Sequence, residues 1–413
     1  MPPERAILHS DLNSFYASVE MLLDPKLRGK AVAVCGETEE RHGIVLAKSE
    51  LAKKAGVKTG MANWQARQCC KDLIVVPPQY DEYLKFSKLV RSIYKRYTNL
   101  VEPFGMDENW LDISLSRSMG SPMEIAEEIR KSVREEIGLT VSIGVSFNKI
   151  FAKLGSDMKK PDAITEISRE NFKKKIWPIP AADLLYCGSA TTSKLRSYGI
   201  YTIGDLANTD ASFLKRILGV NGVALWTYAN GYDTSRVMPE GYVSPIKSVG
   251  HGITCISDLE NEEEVYKVML ELSQDVGHRL RVHELSARGV QIWIRESDLH
   301  GGQFQCKLPM KTQLPSEIAE AAFNLFRERY EWKGKVRAVC VRAIDLVSSK
   351  DPDQLSVFYD NDRRMKREQL QDAVEIIRGR YGKRAITYAM LLGDLKIPDD
   401  GRDKVKMPGL MYS

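Results

Sequence analysis

The sequence lacks the cysteine and histidine patterns that mark disulfide-rich or zinc-binding proteins. Its 413 residues include seven cysteines, an odd number, and none of them forms a Cys-x-x-Cys pair. The six histidines are dispersed, and none stands at zinc-site spacing from a cysteine. We therefore interpret the cysteines as reduced, mostly buried apolar residues of a cytoplasmic protein.

Long apolar runs are also missing. No stretch approaches the length of a membrane-spanning helix, and residues 1–13 lack the apolar core of a signal peptide. Lys and Arg (60) nearly balance Asp and Glu (55), so the net charge is only +5. Such a charge is compatible with nucleic-acid binding but does not by itself indicate it. The length predicts roughly two to four domains.

The spacing of apolar residues predicts alternating strands and helices. A short apolar strand (6–8) ends at His9-Ser10-Asp11, and a helix is expected over Phe15 to Leu23. Later segments repeat the alternation: two short strands within 101–113, a strand over 141–146 and a helix over 148–158. Short helices follow, and a second alternating pattern begins near residue 247. This order favours an α/β (α+β) fold.

Acidic residues stand at the ends of the predicted strands. Asp11 closes the first strand, and Asp107 and Glu108 lie in a turn between two later ones. Three carboxylates suit two Mg²⁺ or Mn²⁺ ions about 3.5–4 Å apart, an arrangement that promotes in-line phosphoryl transfer. Acidic residues at strand ends are also common turn formers, so spacing alone leaves both interpretations open.

Three segments around these residues favour the catalytic interpretation. They are ILHSDLNSFYASVE (7–20), EPFGMDENWLDIS (102–114) and VSIGVSFNKIFAKLGSDMKKPDAI (141–164). In this order and spacing they resemble the motifs of the Y-family DNA polymerases, and the resemblance extends from about residue 5 to 380. It implies a right-hand polymerase with a palm, small fingers, a helical thumb and a separate α/β little-finger domain.

The resemblance also implies the domain boundaries. The catalytic palm would be discontinuous (1–11 and 80–170) and would enclose the fingers (12–79). The thumb (171–236), a linker (237–246), the little finger (247–347) and a C-terminal tail (348–413) would follow.

The metal-binding residues are implied in the same way. Asp11, Asp107 and Glu108 would be catalytic and would hold two Mg²⁺ ions, with Mn²⁺ as a possible substitute. The backbone carbonyl of Leu12 would be a further ligand. Asn13 stands where many family members have a second Asp, a position that is not a metal ligand.

The nucleotide site is less regular. The resemblance makes Tyr16 the steric gate against a 2′-hydroxyl, beside Phe15, although both could be core aromatics of a helix. Lys160 and Lys53 would bind the triphosphate; Lys53 stands where many members have Arg, and Lys48 is the alternative to it. Glu50 stands where many have a phosphate-binding Tyr, and we expect it to point away or to pair with a lysine.

DNA contacts are predicted in the thumb and the little finger. Segments 187–200 and 217–231 resemble helix-hairpin-helix turns, although each could be an ordinary helix turn. Segments 247–254 and 287–296 would contact phosphates of any sequence. The residues assigned to DNA are Gly188, Ala190, Gly219, Gly222, Lys247 and Arg288.

A short motif near the C-terminus suggests a protein partner. QLSVF (354–358) resembles the pentapeptide by which bacterial polymerases dock on the sliding clamp, although a core strand could have the same pattern. Gln354 would supply an amide, and Leu355 and Phe358 would fill apolar pockets. A clamp tether would raise the local concentration of the enzyme at a primer end.

Together these features predict an error-prone DNA-directed DNA polymerase for translesion synthesis, without proofreading. Its partners would be primer–template DNA, dNTPs and the clamp, and it would otherwise be a monomer without membrane contact. Two alternatives stay open: a non-catalytic or partner-dependent module that binds DNA or the clamp, and another palm-type nucleotidyl-transfer enzyme such as a cyclase.

Overall fold

The computed structural model of the chain describes residues 5–36, 41, 43–332, 334–352 and 360–398. Two compact units can be distinguished, with the division between Val243 and Ser244, inside the predicted linker. Among the described residues, no helix is both long enough and apolar enough to cross a membrane.

The first unit contains eight described strands and eleven described α-helices. The strands are β1 (Ile7–Leu12), β2 (Val32–Cys35), β3 (Val45–Lys48), β4 (Ile74–Val76), β5 (Val101–Pro103), β6 (Glu108–Asp112), β7 (Val141–Ser146) and β8 (Ile164–Ile167). The helices are α1 (Phe15–Leu23), α2 (Glu50–Lys54), α3 (Asn63–Cys69), α4 (Tyr80–Tyr94), α5 (Pro122–Ser132), α6 (Lys149–Met158), α7 (Phe172–Ile176), α8 (Ser189–Arg196), α9 (Ile203–Asn208), α10 (Ala211–Leu218) and α11 (Val220–Ala229).

A five-stranded sheet in the order β5-β6-β1-β7-β8 organises this unit. β1 is central and antiparallel to both β6 and β7. Every residue of β1 is buried, so the polar side chains on it must find partners inside the protein. α6 packs closely on β7 because Gly144 has no side chain: a Cβ there would lie 1.9 Å from the carbonyl oxygen of Ala152.

A smaller sheet, β3-β2-β4, lies in the segment predicted to be the fingers, and its strands pair as β2–β3 antiparallel and β2–β4 parallel. α7 to α11, in the predicted thumb, surround a separate apolar core that includes Leu195, Leu206 and Leu214.

The second unit is a four-stranded antiparallel sheet with helices packed against it. Its elements are β9 (Val249–Leu259), α12 (Glu262–Val282), β10 (Leu285–Glu296), β11 (Gly301–Thr312), α13 (Pro315–Arg329), β12 (Val336–Ser348) and α14 (Asn361–Tyr381). The strand order is β11-β10-β12-β9. The mixture of helices and sheets, with a separate C-terminal sheet unit, confirms the predicted fold class.

Two segments differ from the simple sequence interpretation. Residues predicted to be a polar tail contribute Leu391, Leu395 and Ile397 to the core of the second unit, and the amide of Ile256 donates to the carbonyl of Lys396. The segment predicted as a linker is fastened to the first unit over its first part, where the amide of Met238 donates to Glu102. Three spaced apolar residues suffice to bury a segment whose average composition is polar.

Candidate active site

Strand pairing brings the predicted catalytic carboxylates together. Asp11 near the end of β1 is opposite Glu108 at the start of β6. The amide of Leu12 donates to the carbonyl of Asp107 over 3.0 Å, which fixes the turn before β6 beside β1. The acids are therefore held by backbone geometry on the most buried sheet of the unit.

Two lysines compensate these acids. The Lys153 ammonium on α6 lies 2.9 Å from Oε1 of Glu108 and 3.3 Å from Oδ2 of Asp11. The Lys160 ammonium lies 2.8 Å from the same Asp11 oxygen. Asp157 contacts both lysines, at 3.1 and 2.9 Å.

Burial determines the protonation behaviour of the cluster. It raises the pKa of Asp11 to about 7, against the opposing effect of Lys160 and Lys153, and raises that of Asp107 to about 6. Burial also acts to raise the pKa of Glu108, but His9 and Lys153 outweigh it and hold that pKa below its ordinary value. For Lys153 the desolvation that would lower the pKa is outweighed by the surrounding carboxylates, so its pKa is raised.

The donor set fits divalent cations. Among the described residues, no group of three or more carboxylates, histidines or cysteines is arranged to hold a metal ion, and the ammonium groups of Lys153 and Lys160 lie against Asp11. The cluster nevertheless offers four carboxylates against two ammonium groups, namely Asp11, Asp107, Glu108 and Asp157 against Lys153 and Lys160. Hard oxygen ligands with surplus negative charge are what Mg²⁺ and Mn²⁺ prefer.

Two aromatic residues on α1 lie close to the carboxylates. Tyr16 is half-buried and stacks on Tyr83, with ring centroids 4.2 Å apart and an interplanar angle of 8°. This stacking holds the orientation of the Tyr16 ring. Phe15, predicted to lie at the nucleotide, has a side chain that is only 3% exposed and packs in the core.

The two lysines considered for triphosphate binding, Lys53 and Lys48, lie near Glu50. Glu50 accepts a hydrogen bond from the Ser14 hydroxyl over 3.0 Å and lies 3.8 Å from the Lys53 ammonium. This agrees with the expectation that Glu50 pairs with a lysine. Lys48 donates to the hydroxyl of Thr59 over 3.0 Å.

Asn13 has a clear structural role. Its amide nitrogen donates to Ser142 over 2.9 Å, and its oxygen accepts from the amide of Asp162 over 2.8 Å. The side chain thus connects β1 to β7 and to the loop that carries Lys160. Asn13 thereby helps to hold the loop that carries Lys160 beside β1.

The sequence interpretation missed Lys153 and His9. A signal for Lys153 was present, because Lys149, Lys153 and Asp157 recur at i, i+4 spacing and therefore share a face of α6. His9 stands two residues before Asp11, where the period of a strand places both on one face.

Comparison with known proteins agrees with this geometry. Residues 10–157 match the impB/mucB/samB family, and residues 246–357 match the C-terminal domain of that family. The chain is 49% identical to DNA polymerase IV of Acetivibrio thermocellus over 392 residues, covering 95% of this chain and 98% of the relative. It is 39% identical to DNA polymerase IV 1 of Bacillus subtilis over 383 residues, covering 92% of each.

The chain belongs to the impB/mucB/samB family of Y-family DNA polymerases. A solved Y-family DNA polymerase chimera of Dbh and Dpo4 has the same fold, with a TM-score of 0.73 at 22% identity, and the match covers 83% of this chain and 99% of that one. The chain is accordingly a DNA-directed DNA polymerase.

The predicted thumb residues of this polymerase lie in two different settings. Gly188 and Ala190 are exposed at the start of α8, and Gly219 has a positive φ of 65° between α10 and α11. Gly222 is buried in α11, where a Cβ would lie 2.2 Å from the carbonyl oxygen of Leu214. Its lack of a side chain allows this close helix packing, and its assignment to DNA stays a prediction.

The predicted little-finger contacts of the polymerase are accessible. Lys247 and Arg288 are exposed, and the pairing of β10 with β11 changes register between Ala287 and Gly289. The clamp-like segment, with Gln354, Leu355 and Phe358, lies outside the described residues.

Proposed function

We propose that this polymerase performs error-prone translesion synthesis: it extends a primer opposite damaged template by two-metal-ion nucleotidyl transfer, without proofreading. The observation that supports this most directly is the cross-strand pairing of Asp11 with Glu108, with Asp107 held in the adjoining turn. These are the hard-oxygen ligands such chemistry needs.

In the proposed reaction the primer 3′-oxygen attacks the α-phosphorus of a dNTP, the bond to the β-phosphate oxygen breaks, and pyrophosphate leaves. Two bound Mg²⁺ ions would favour loss of the 3′-hydroxyl proton and stabilise the leaving oxygen. Asp11, Asp107, Glu108 and the carbonyl of Leu12 would hold them.

The chain's own side chains would do the remaining work. Lys160, placed by the loop that Asn13 fastens to β1, would offset negative charge on the triphosphate. Tyr16, held against Tyr83, would exclude a 2′-hydroxyl. Lys53 would bind phosphate once it leaves Glu50.

The proposed partners are primer–template DNA, dNTPs and the sliding clamp. Gly188, Ala190 and Gly219 of the thumb, with Lys247 and Arg288 of the little finger, would bind the DNA backbone, with affinity that falls as salt rises. The enzyme would be a cytoplasmic monomer apart from its clamp.

Primer extension tests the proposal. Purified protein, primed template, Mg²⁺ and dNTPs are compared for wild type, Asp107→Ala and a control, Asp72→Ala, which changes an exposed acid outside the site. We expect extension by wild type and the control, on undamaged template and past an abasic site, and none by Asp107→Ala. Extension by Asp107→Ala would contradict the assignment of Asp107 as a metal ligand. Absence of extension by DNA-bound wild type, even with a clamp, would contradict the proposed reaction and favour a non-catalytic module.

The clamp contact has its own test. A Leu355→Ala/Phe358→Ala variant should lose binding to immobilised clamp while extending primers normally without the clamp. Retained binding would show that QLSVF is not the docking segment.

A further inference from the structure

His9 is fully buried in the centre of the active-site sheet. On β1 it is opposite Trp110 of β6 on one side and Gly144 of β7 on the other. Its ring meets the edge of Trp110, with centroids 5.3 Å apart. A histidine at such a position needs hydrogen-bond partners inside the protein, because water does not reach it.

Each ring nitrogen faces one candidate partner. Nδ1 lies 2.8 Å from the hydroxyl of Ser156 on α6. Nε2 lies 3.5 Å from Oε2 of Glu108. Both Nε2 and this carboxylate oxygen are buried, and neither makes a hydrogen bond within the described residues. A small approach of the two atoms toward each other would relieve the cost of burying both.

The number of available protons selects the tautomer. The ring of a neutral histidine carries a single N–H, on one nitrogen or the other. Ser156 also has one hydroxyl proton, and the carbonyl of Lys153 lies 2.8 Å from its oxygen. If Ser156 donates to that carbonyl, His9 must donate from Nδ1, and the Nε2 lone pair then faces a carboxylate.

The alternative arrangement avoids this repulsion. Ser156 donates to Nδ1, and Nε2–H points at Glu108. The carbonyl of Lys153 loses little, because it lies inside α6, where the helix already supplies a backbone donor. Nε2–H and Oε2 of Glu108, 3.5 Å apart, then face each other as donor and acceptor.

We propose that His9 is a positioning residue: through Nε2–H it fixes Oε2 of Glu108 and so orients this carboxylate for a divalent metal ion. The inference rests on the proposed two-metal function. Glu108 is then held at both oxygens, Oε2 by His9 and Oε1 by Lys153, and only the second must be released for metal. Hydrogen bonds that orient a ligand in this way alter metal affinity about 10- to 100-fold.

Two amide substitutions separate orientation from packing. In His9→Gln the amide nitrogen reaches the place of Nε2 and can still donate to Glu108. In His9→Asn the shorter amide reaches only the place of Nδ1 and contacts Ser156 alone. Both variants are uncharged and polar, so they differ mainly in which partner they keep.

The readout is Mn²⁺ binding without turnover. The full chain is bound to primer–template with a 3′-dideoxy end and the matching dNTP, and free Mn²⁺ is measured by electron paramagnetic resonance. We expect His9→Asn to weaken Mn²⁺ binding at least about 10-fold and His9→Gln to stay within about threefold of wild type. Thermal unfolding checks that both variants fold, and Ser156→Ala, which removes the donor to Nδ1, should weaken binding in the same direction.

Equal effects of Asn and Gln, or unchanged affinity in both His9→Asn and Ser156→Ala, would overturn the inference and leave His9 a packing residue. Failure of the proposed function looks different: wild type itself would bind no Mn²⁺ beyond that held by free dNTP and would not extend a normal primer. That result would overturn both proposals together.

Discussion

A buried ion pair in the first unit allows a sharp test of how α6, the helix that carries Lys153, is held in place. The Lys149 ammonium at the start of α6 lies 2.7 and 2.8 Å from the two carboxylate oxygens of Glu102, and 4.3 Å from the ring centre of Trp110. Glu102 also accepts from the amide of Met238 over 2.8 Å. The pair therefore joins β5, α6 and the segment that follows α11.

Removing one partner should be costly. Glu102→Gln keeps the shape but leaves the Lys149 ammonium, whose side chain is 11% exposed, without its counter-charge. Breaking a buried pair costs about 3–5 kcal/mol, and the 20% exposure of Glu102 places the expected loss near 3 kcal/mol. Lys149→Met should cost a similar amount. The double variant should recover to within about 1–2 kcal/mol of wild type, because no buried charge is left unpaired.

The assay must isolate the first unit, since a two-unit chain does not unfold in one step. Urea-dependent hydrogen exchange of the β5 and β6 amides measures its free energy of unfolding separately. The control is Glu82→Gln, which breaks an exposed pair between Glu82 (33% exposed) and Lys85 (64% exposed). This change should cost about 0.5 kcal/mol or less. If Glu102→Gln costs no more than this control, or if the two single losses simply add in the double variant, the reasoning is refuted.

Three further predictions concern the nucleotide site and the second unit. Tyr16→Ala should raise ribonucleotide incorporation roughly 100-fold in single-nucleotide extension, and an unchanged ratio would refute the gate. Glu50→Gln should lower KM for dNTP about threefold with kcat unchanged, because a carboxylate that competes for Lys53 is removed; a higher KM would show that Glu50 aids binding. His278 lies 2.6 Å from Glu375, and this hydrogen bond raises the pKa of His278 above 6.5. The stabilising contribution of this pair is therefore complete below pH 6.5 and is lost as pH rises through the raised pKa of His278. The loss should be less than about 1 kcal/mol, because the His278 side chain is 56% exposed. Amide exchange in α14 should then rise with pH by more than its intrinsic increase, and His278→Gln should abolish this extra rise.

Local patterns in the sequence were enough to predict the acids and the main elements around them. The strand ending at Asp11 and the helix over 148–158 agree with β1 and α6. Strand ends, helix caps and the motif around Asp107 depend on residues close together in the chain, so they can be read without knowing what the chain folds against.

Other features depended on contacts between distant segments. Lys153 lies beside Asp11 although 142 residues separate them, and Asp162 meets Asn13 across 149 residues. No periodicity within one segment records which residue of another will be opposite it. The burial of Phe15 and of Gly222 could not be predicted from local sequence for the same reason, because burial is decided by the neighbours.

The sequence by itself thus determined the family, the fold class and the candidate metal ligands, because those follow from local residue order. Only the tertiary structure decided how the ligands are held. It placed the Lys153 and Lys160 ammonium groups against the carboxylates of Asp11, Glu108 and Asp157. It also brought His9 within 3.5 Å of Glu108 and buried Leu391 in the second unit. These arrangements arise from strand register and helix packing, which bring side chains within 3–4 Å only after the whole unit has folded.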